Sequence, residues 1–330
     1  MFTLIYFLSD RVGLRNHWNL ERNRCMLAIV ESMALHGLTG YLVNVQIDVS
    51  PGLPHWEIVG LPDTSVRESK ERVRTAIKNS GIEFPSRRIT VNLAPANTKK
   101  EGSFFDLPIA IGILLATENL QCVDIEGTVF MGELSLDGTL NKINGVLPMC
   151  IEALKLGIKR VILPAVNAKE ASVVNGLEVI GVRNLSETIK FLTGERKIKP
   201  EHIDVKKMFE NNIKYDIDFA EVKGQENVKR ALEIAAAGGH NCVLIGSPGV
   251  GKTMLARRLP SILPDLSFDE ALEVSKIHSI AGVLNENSLV LTRPFRAPHH
   301  TISSVALVGG GRIPKPRRNK PSTFRGAIFG

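Results

Sequence analysis

From Tyr41 to Val49 apolar and polar residues alternate, with Tyr41, Val43, Val45, Ile47 and Val49 on one face. That period of two predicts a half-buried β-strand. Residues 55–59 and 88–93 have the composition of further strands. Between them the period changes: Val66, Val73, Ala76 and Ile77 fall on one stripe of a helix spanning 64–79. Ser65 and Glu68 have capping-box spacing at its start, and Gly81 follows its end. Arg67, Lys70, Arg74 and Lys78 point away from the stripe. A solvated face is the simpler reading of them than a nucleic-acid surface. A second helix is predicted over 106–116, and 134–140 reads as a hairpin with Asp137-Gly138 at its turn. Helices near 147–156, 168–175 and 186–192 then alternate with strands at 160–163 and 177–182. Residues 26–193 therefore read as one mixed α/β domain.

The stretch 194–218 is polar and poorly periodic, which suits a linker. A second domain, 219–330, opens with a helix over 225–237 that turns Val228, Ala231, Leu232, Ala235 and Ala236 inward and ends at Gly238-Gly239. Residues 1–25 lack clear periodicity and are expected to be a non-native or disordered extension, with Met26 as the true start.

Composition narrows the class. A chain of 330 residues, 44% hydrophobic and 23% charged, is long enough for two or three globular domains. The net charge of +7 is uneven. Arg312, Lys315, Arg317, Arg318, Lys320 and Arg325 fall in one stretch without an acid. Such a run can touch phosphate, and a solvated tail accounts for it equally well. Cys25, Cys122, Cys150 and Cys242 are too dispersed for a metal site, which fits a reducing cytoplasm. No apolar run reaches the roughly 18–20 residues that span a membrane. Phe2–Leu8 is apolar but short and follows no basic stretch, so no signal peptide is expected.

The chemistry concentrates at Gly246-Ser247-Pro248-Gly249-Val250-Gly251-Lys252-Thr253, which matches G-x-x-x-x-G-K-[ST] at every fixed position. An apolar segment, 241–245, runs into it as an expected strand, and a helical pattern runs out of it from Gly251. Glycines let backbone N–H groups approach phosphate with no Cβ in the way. In such a loop Lys252 reaches the β- and γ-phosphates of ATP, and Thr253 offers its hydroxyl to Mg²⁺. The residues after Thr253 supply no apolar strand ending in Asp-Glu to hold the metal and position water. The expectation is a chain that binds ATP and hydrolyses it poorly.

The segment Phe219-Ala-Glu-Val-Lys-Gly-Gln225, then a helix, then the loop, looks like the start of an AAA+ module. Leu291-Thr-Arg-Pro-Phe-Arg-Ala-Pro-His-His300-Thr and Ala306-Leu-Val-Gly-Gly-Gly311-Arg-Ile-Pro-Lys-Pro316 are more specific. They resemble the magnesium-chelatase-like ATPases, in particular the YifB/ComM competence group. In the first half, Gly52-Leu-Pro, Val59-Gly-Leu-Pro-Asp63, Val66-Arg-Glu-Ser-Lys-Glu-Arg72 and Arg88-Ile-Thr-Val-Asn-Leu-Ala-Pro95 agree with the same group. The resemblance spans about 26–316. It implies a cytoplasmic homo-hexameric ATPase that remodels single-stranded or branched DNA during natural transformation. It places 293–300 in a hairpin near the ring pore, making Arg293, Arg296, His299 and His300 the DNA-facing candidates. Two adjacent histidines without further spaced ligands make a poor metal site.

Residues 100–193 also resemble the proteolytic domain of Lon, through Gly132-Glu-Leu and Gly157-Ile-Lys-Arg-Val-Ile-Leu-Pro164. The fold class implied is α/β: a Lon-protease-like domain followed by a truncated P-loop AAA+ domain of magnesium-chelatase type. Lon's catalytic lysine would align with Leu147 in Asn144-Gly-Val-Leu147, and its serine with the region 104–106. Ser103 and Lys100 are near but out of register. A leucine cannot deprotonate a hydroxyl, so no peptidase activity is expected, and the domain is assigned to assembly or DNA contact. The run 317–324 does not fit the family, while Arg325-Gly-Ala-Ile-Phe-Gly330 looks like the opening of its next strand; a short double frameshift would produce this pattern. Two other readings stay open: a chelatase subunit driving metal insertion into a porphyrin, and a non-catalytic binding remnant.

Overall fold

The computed structural model describes residues 26–297 apart from 122, 212–214, 216 and 285–287. A long hairpin forms first. β1 (Met26–His36) and β2 (Thr39–Ser50) pair antiparallel from Met26 opposite Val49 to His36 opposite Thr39. Along β2 the alternation holds: Val43, Val45, Ile47 and Val49 are buried. β3 (His55–Val59), α1 (Thr64–Asn79), β4 (Arg88–Ala94) and α2 (Asp106–Ala116) follow. Next come β5 (Thr128–Phe130), the two-residue strands β6 (Glu133–Leu134) and β7 (Leu140–Asn141), and α3 (Val146–Lys155). β8 (Arg160–Pro164), α4 (Ala165–Ala171), β9 (Glu178–Val182) and α5 (Leu185–Leu192) complete the first domain.

Seven strands form one sheet in the order β3-β4-β2-β1-β5-β8-β9, while β6 and β7 pair separately. The β1–β2 and β2–β4 pairs are antiparallel, and the other four are parallel. α2 is apolar on every side because it is covered on every side, packing against β1, β2 and α1. A Cβ on Gly112 would come within 2.1 Å of Ile47 Cδ1, so this glycine sets how closely the helix approaches the sheet.

α1 has the expected bounds, with Val66, Val73, Ala76 and Ile77 buried. Its N-cap lies two residues earlier than the Ser65–Glu68 spacing suggests. Asp63, in extended backbone, accepts the Val66 N–H at 2.8 Å.

The polar stretch after α5 folds back on the first domain. Glu201 bridges to Val179, and Ile198, Ile203, Met208 and Phe209 pack on the first core, the last two from α6 (Val205–Asn211). Beyond it lie a 3₁₀ turn (Phe219–Glu221), α7 (Glu226–Gly238), α8 (Lys252–Arg258), a second 3₁₀ turn (Leu259–Ile262) and α9 (Phe268–Ile280). Phe219, Val222, Leu232 and Leu255 make a small second core. On α7, Leu232, Ala235 and Ala236 are buried as expected, whereas Ala231 is exposed. α9 packs on the first domain through α3, and Leu272, Leu289 and Leu291 join the first core. Among the described residues no helix is long and apolar enough to cross a membrane.

Candidate nucleotide site

Residues 241–245 approach the glycine-rich loop without strand pairing, and Val243 and Ile245 are 83% and 92% exposed. The strand expected here does not form. A strand is held by hydrogen bonds to neighbouring strands, and none of the described residues pairs with this segment.

The loop itself is ordered by its glycines and by two anchors. Gly249 and Gly251 adopt φ of 85° and 87°, the left-handed region that glycine enters without a Cβ clash. Gly251 also forms the N-cap of α8. Gln225, itself at φ 55°, donates its side-chain amide to the Val250 carbonyl at 2.8 Å. On the far side Arg258 of α8 pairs with Glu221 at 2.7 Å and donates to the Asp218 carbonyl at 3.0 Å. The start of the second domain thus grips both ends of the loop and helix.

Gly246, Ser247, Pro248, Gly249, Val250 and Thr253 are exposed, and Lys252 is half-buried. The Lys252 ammonium donates to the carbonyls of Gly246 at 2.8 Å and Ser247 at 2.7 Å. These contacts hold it across the loop, where a phosphate oxygen would replace the carbonyls as a stronger, charged partner. Thr253 lies in the first turn of α8, beside that ammonium in sequence. The donor set fits a nucleotide triphosphate with Mg²⁺: glycine N–H groups, one ammonium and one hydroxyl. Among the described residues there is no cluster of three His, Cys, Asp or Glu that could hold a metal without such a ligand. The cavity of about 660 Å³ beside α7 is lined by Phe219, Asn227 and Arg230 among others, and by no residue of the loop.

The DNA-facing candidates have different environments. Arg293 is buried; it donates to the carbonyls of Pro264 at 2.5 Å and Asp265 at 3.3 Å and pairs with Glu270 at 3.2 Å. In this arrangement it fastens the loop after α9 to that helix's N-terminal turn. Arg296 is half-buried and lies 2.8 Å from His278 Nε2. Burial and the Arg296 charge push the His278 pKa down to about 4, so the imidazole is neutral and can accept that hydrogen bond. His299 and His300, the 306–316 motif and the 312–325 basic run lie outside the described residues.

In the Lon-like domain Leu147 is fully buried, and its backbone N–H donates to Glu170 at 3.1 Å. The Ser103 hydroxyl donates to Glu133, and the buried Lys100 ammonium donates to the carbonyls of Pro95 and Thr98. Ser103 and Lys100 thus hydrogen-bond elsewhere rather than to each other.

Two polar arrangements carried no signal that pattern reading weighed. Asp106 begins the otherwise apolar α2, fully buried, and pairs with Arg72 at 2.6 Å while accepting the Leu134 N–H at 3.1 Å. Its position as a lone acid ahead of an apolar helix was the available clue. Glu170 accepts from Leu147, from Asn167 and, at 2.5 Å, from the Ser279 hydroxyl of α9. That bond joins segments 109 residues apart.

Comparison with known proteins agrees with this architecture. The family model described as subunit ChlI of Mg-chelatase matches residues 45–167, and that described as magnesium chelatase, subunit ChlI, matches 218–323. The chain is 44% identical over 305 residues to the competence protein ComM of Haemophilus influenzae, covering 92% of this chain and 59% of that protein. It is 43% identical over 292 residues to the protein YifB of Escherichia coli, covering 88% and 56%. Lon protease 2 of Bacillus subtilis is 27% identical over 202 residues, covering 55% and 36%. The chain spans little more than half the length of ComM and YifB.

Proposed function

Because the chain belongs to the YifB/ComM type of magnesium-chelatase-like proteins, we propose that it binds ATP with Mg²⁺ at 246–253 and serves in ATP-driven remodelling of DNA in the cytoplasm. The observation that carries the reading is the loop: two glycines in left-handed backbone, anchored through Gln225 and Arg258, with Lys252 and Thr253 at the start of α8. Backbone N–H groups of 249–252 would meet the phosphates, Lys252 would neutralise the β- and γ-groups, and Thr253 would hold the metal. Bound ATP supplies the free energy of phosphoanhydride cleavage. In the longer proteins of this type, a homo-hexamer would couple turnover to movement of single-stranded or branched DNA.

The test is forked-DNA binding with and without a non-hydrolysable ATP analogue. Binding by the wild type should tighten with nucleotide, and binding by Lys252→Ala should not respond. Absence of DNA binding under every condition would overturn the DNA role.

A further inference from the structure

The first domain carries a concave surface formed by residues far in sequence from the nucleotide loop. α1 places Lys70, Arg74 and Lys78 four residues apart. Like charges at that spacing repel along a helix face, so helix stability gives no reason for the stripe. Lys70 is drawn inward, donating to the Trp56 carbonyl at 2.6 Å. Arg74 and Lys78 instead line a groove of about 150 Å³ together with His55, Trp56, Phe84 and Arg87.

Three features of this groove point to one kind of ligand. No carboxylate among the described residues lines it. Arg74, Lys78 and Arg87 are exposed and make no ion pair among the described residues, although Arg72 on the same helix pairs with Asp106. Unpaired cations facing one concavity attract a polyanion. Aromatic rings are interleaved with them. Trp56 and Phe84 stack with centroids 5.2 Å apart and planes 28° from parallel, and the Arg74 guanidinium lies 5.7 Å from the Phe84 centroid. Such rings offer a π-face to a nucleobase of any identity. The Trp56 indole N–H is buried without a hydrogen-bond partner among the described residues. Finally, β3, which carries His55 and Trp56, is one of the two edge strands of the sheet, so a chain can pass along this edge.

We propose that this groove binds single-stranded nucleic acid, with backbone phosphates at Arg74, Lys78 and Arg87 and an unstacked base against the Trp56–Phe84 pair. The groove has room for one base, and a duplex keeps its base faces stacked, which selects the single strand. The inference rests on the DNA role proposed above and assigns that contact to the Lon-like domain.

The test is fluorescence anisotropy of labelled oligothymidylate with the full chain across a salt series. Replacing Arg74, Lys78 and Arg87 together by glutamine should weaken binding about tenfold or more and flatten the slope of log affinity against log salt by about 2, since each single-strand phosphate contact contributes about 0.7. These side chains are exposed, so the fold should survive. In a Trp18→Phe background, where Trp56 is the only tryptophan, oligothymidylate should quench its emission, and a duplex of equal length should not. Wild-type binding that the triple variant leaves unchanged in affinity and slope would overturn the groove while leaving the DNA role standing. Equal competition by duplex would overturn the single-strand assignment. No DNA binding by the wild type would overturn both.

Discussion

The side-chain amide of Gln225 donates to the carbonyl of Val250 across 2.8 Å, joining the start of the second domain to the crown of the glycine-rich loop. Gln225 makes that bond from a left-handed backbone, unusual for a residue with a Cβ. A neutral hydrogen bond is worth about 0.5–1.5 kcal/mol. Gln225→Ala should therefore weaken ATP binding by about two- to tenfold, measured with a fluorescent ATP analogue, and leave the first domain's melting unchanged.

Asp106 illustrates a buried charge whose pairing does not fully offset its burial. Desolvation raises its pKa from 3.8 to about 6, against the lowering effects of Arg72 and the Leu134 N–H. Below about pH 4 the carboxyl is neutral in both states. Between about 4 and 6 the folded chain keeps a proton that the unfolded chain releases, so stability falls as pH rises through that window. In urea unfolding, wild-type stability relative to Asp106→Asn should decline between pH 4 and 6; a flat difference would contradict this.

His278 works in the opposite direction. Its folded pKa is lowered from 6.5 to about 4, so the unfolded chain takes up a proton that the folded chain refuses. The stability it contributes is present above about pH 6.5 and is lost as pH falls toward 4. Relative to His278→Gln, the wild type should lose stability on acidification through that range. Comparing each variant with the wild type separates this slope from that of Asp106.

The bond from Ser279 to Glu170 holds α9 on the first domain. Ser279→Ala leaves a buried carboxylate with one donor fewer, which should cost about 1–3 kcal/mol. A double-mutant cycle with Glu170→Gln should show coupling between the two positions; strict additivity would mean that they do not interact.

Much of the first domain was legible because its signals are local. The alternation at Val43–Val49 and the stripe Val66–Ile77 report faces that tertiary packing reinforces. The loop at 246–253 was legible because its glycines answer to backbone conformation, which sequence encodes directly. Three other features depend on partners that local sequence does not name. Residues 241–245 read as a strand, but strand formation needs neighbours. Ala231 read as inward, but the second core is too small to cover it. Arg293 looked like a surface cation until Glu270 and the carbonyls of Pro264 and Asp265 were brought around it.

The most direct test of the account is calorimetric titration of ATP with Mg²⁺ into the chain and into Lys252→Ala. Saturable binding at one site per chain is expected, weakened about ten- to a hundredfold by the substitution through the loss of charge-assisted hydrogen bonds worth about 1.5–3 kcal/mol. No binding by the wild type, or equal binding by both proteins, would contradict it.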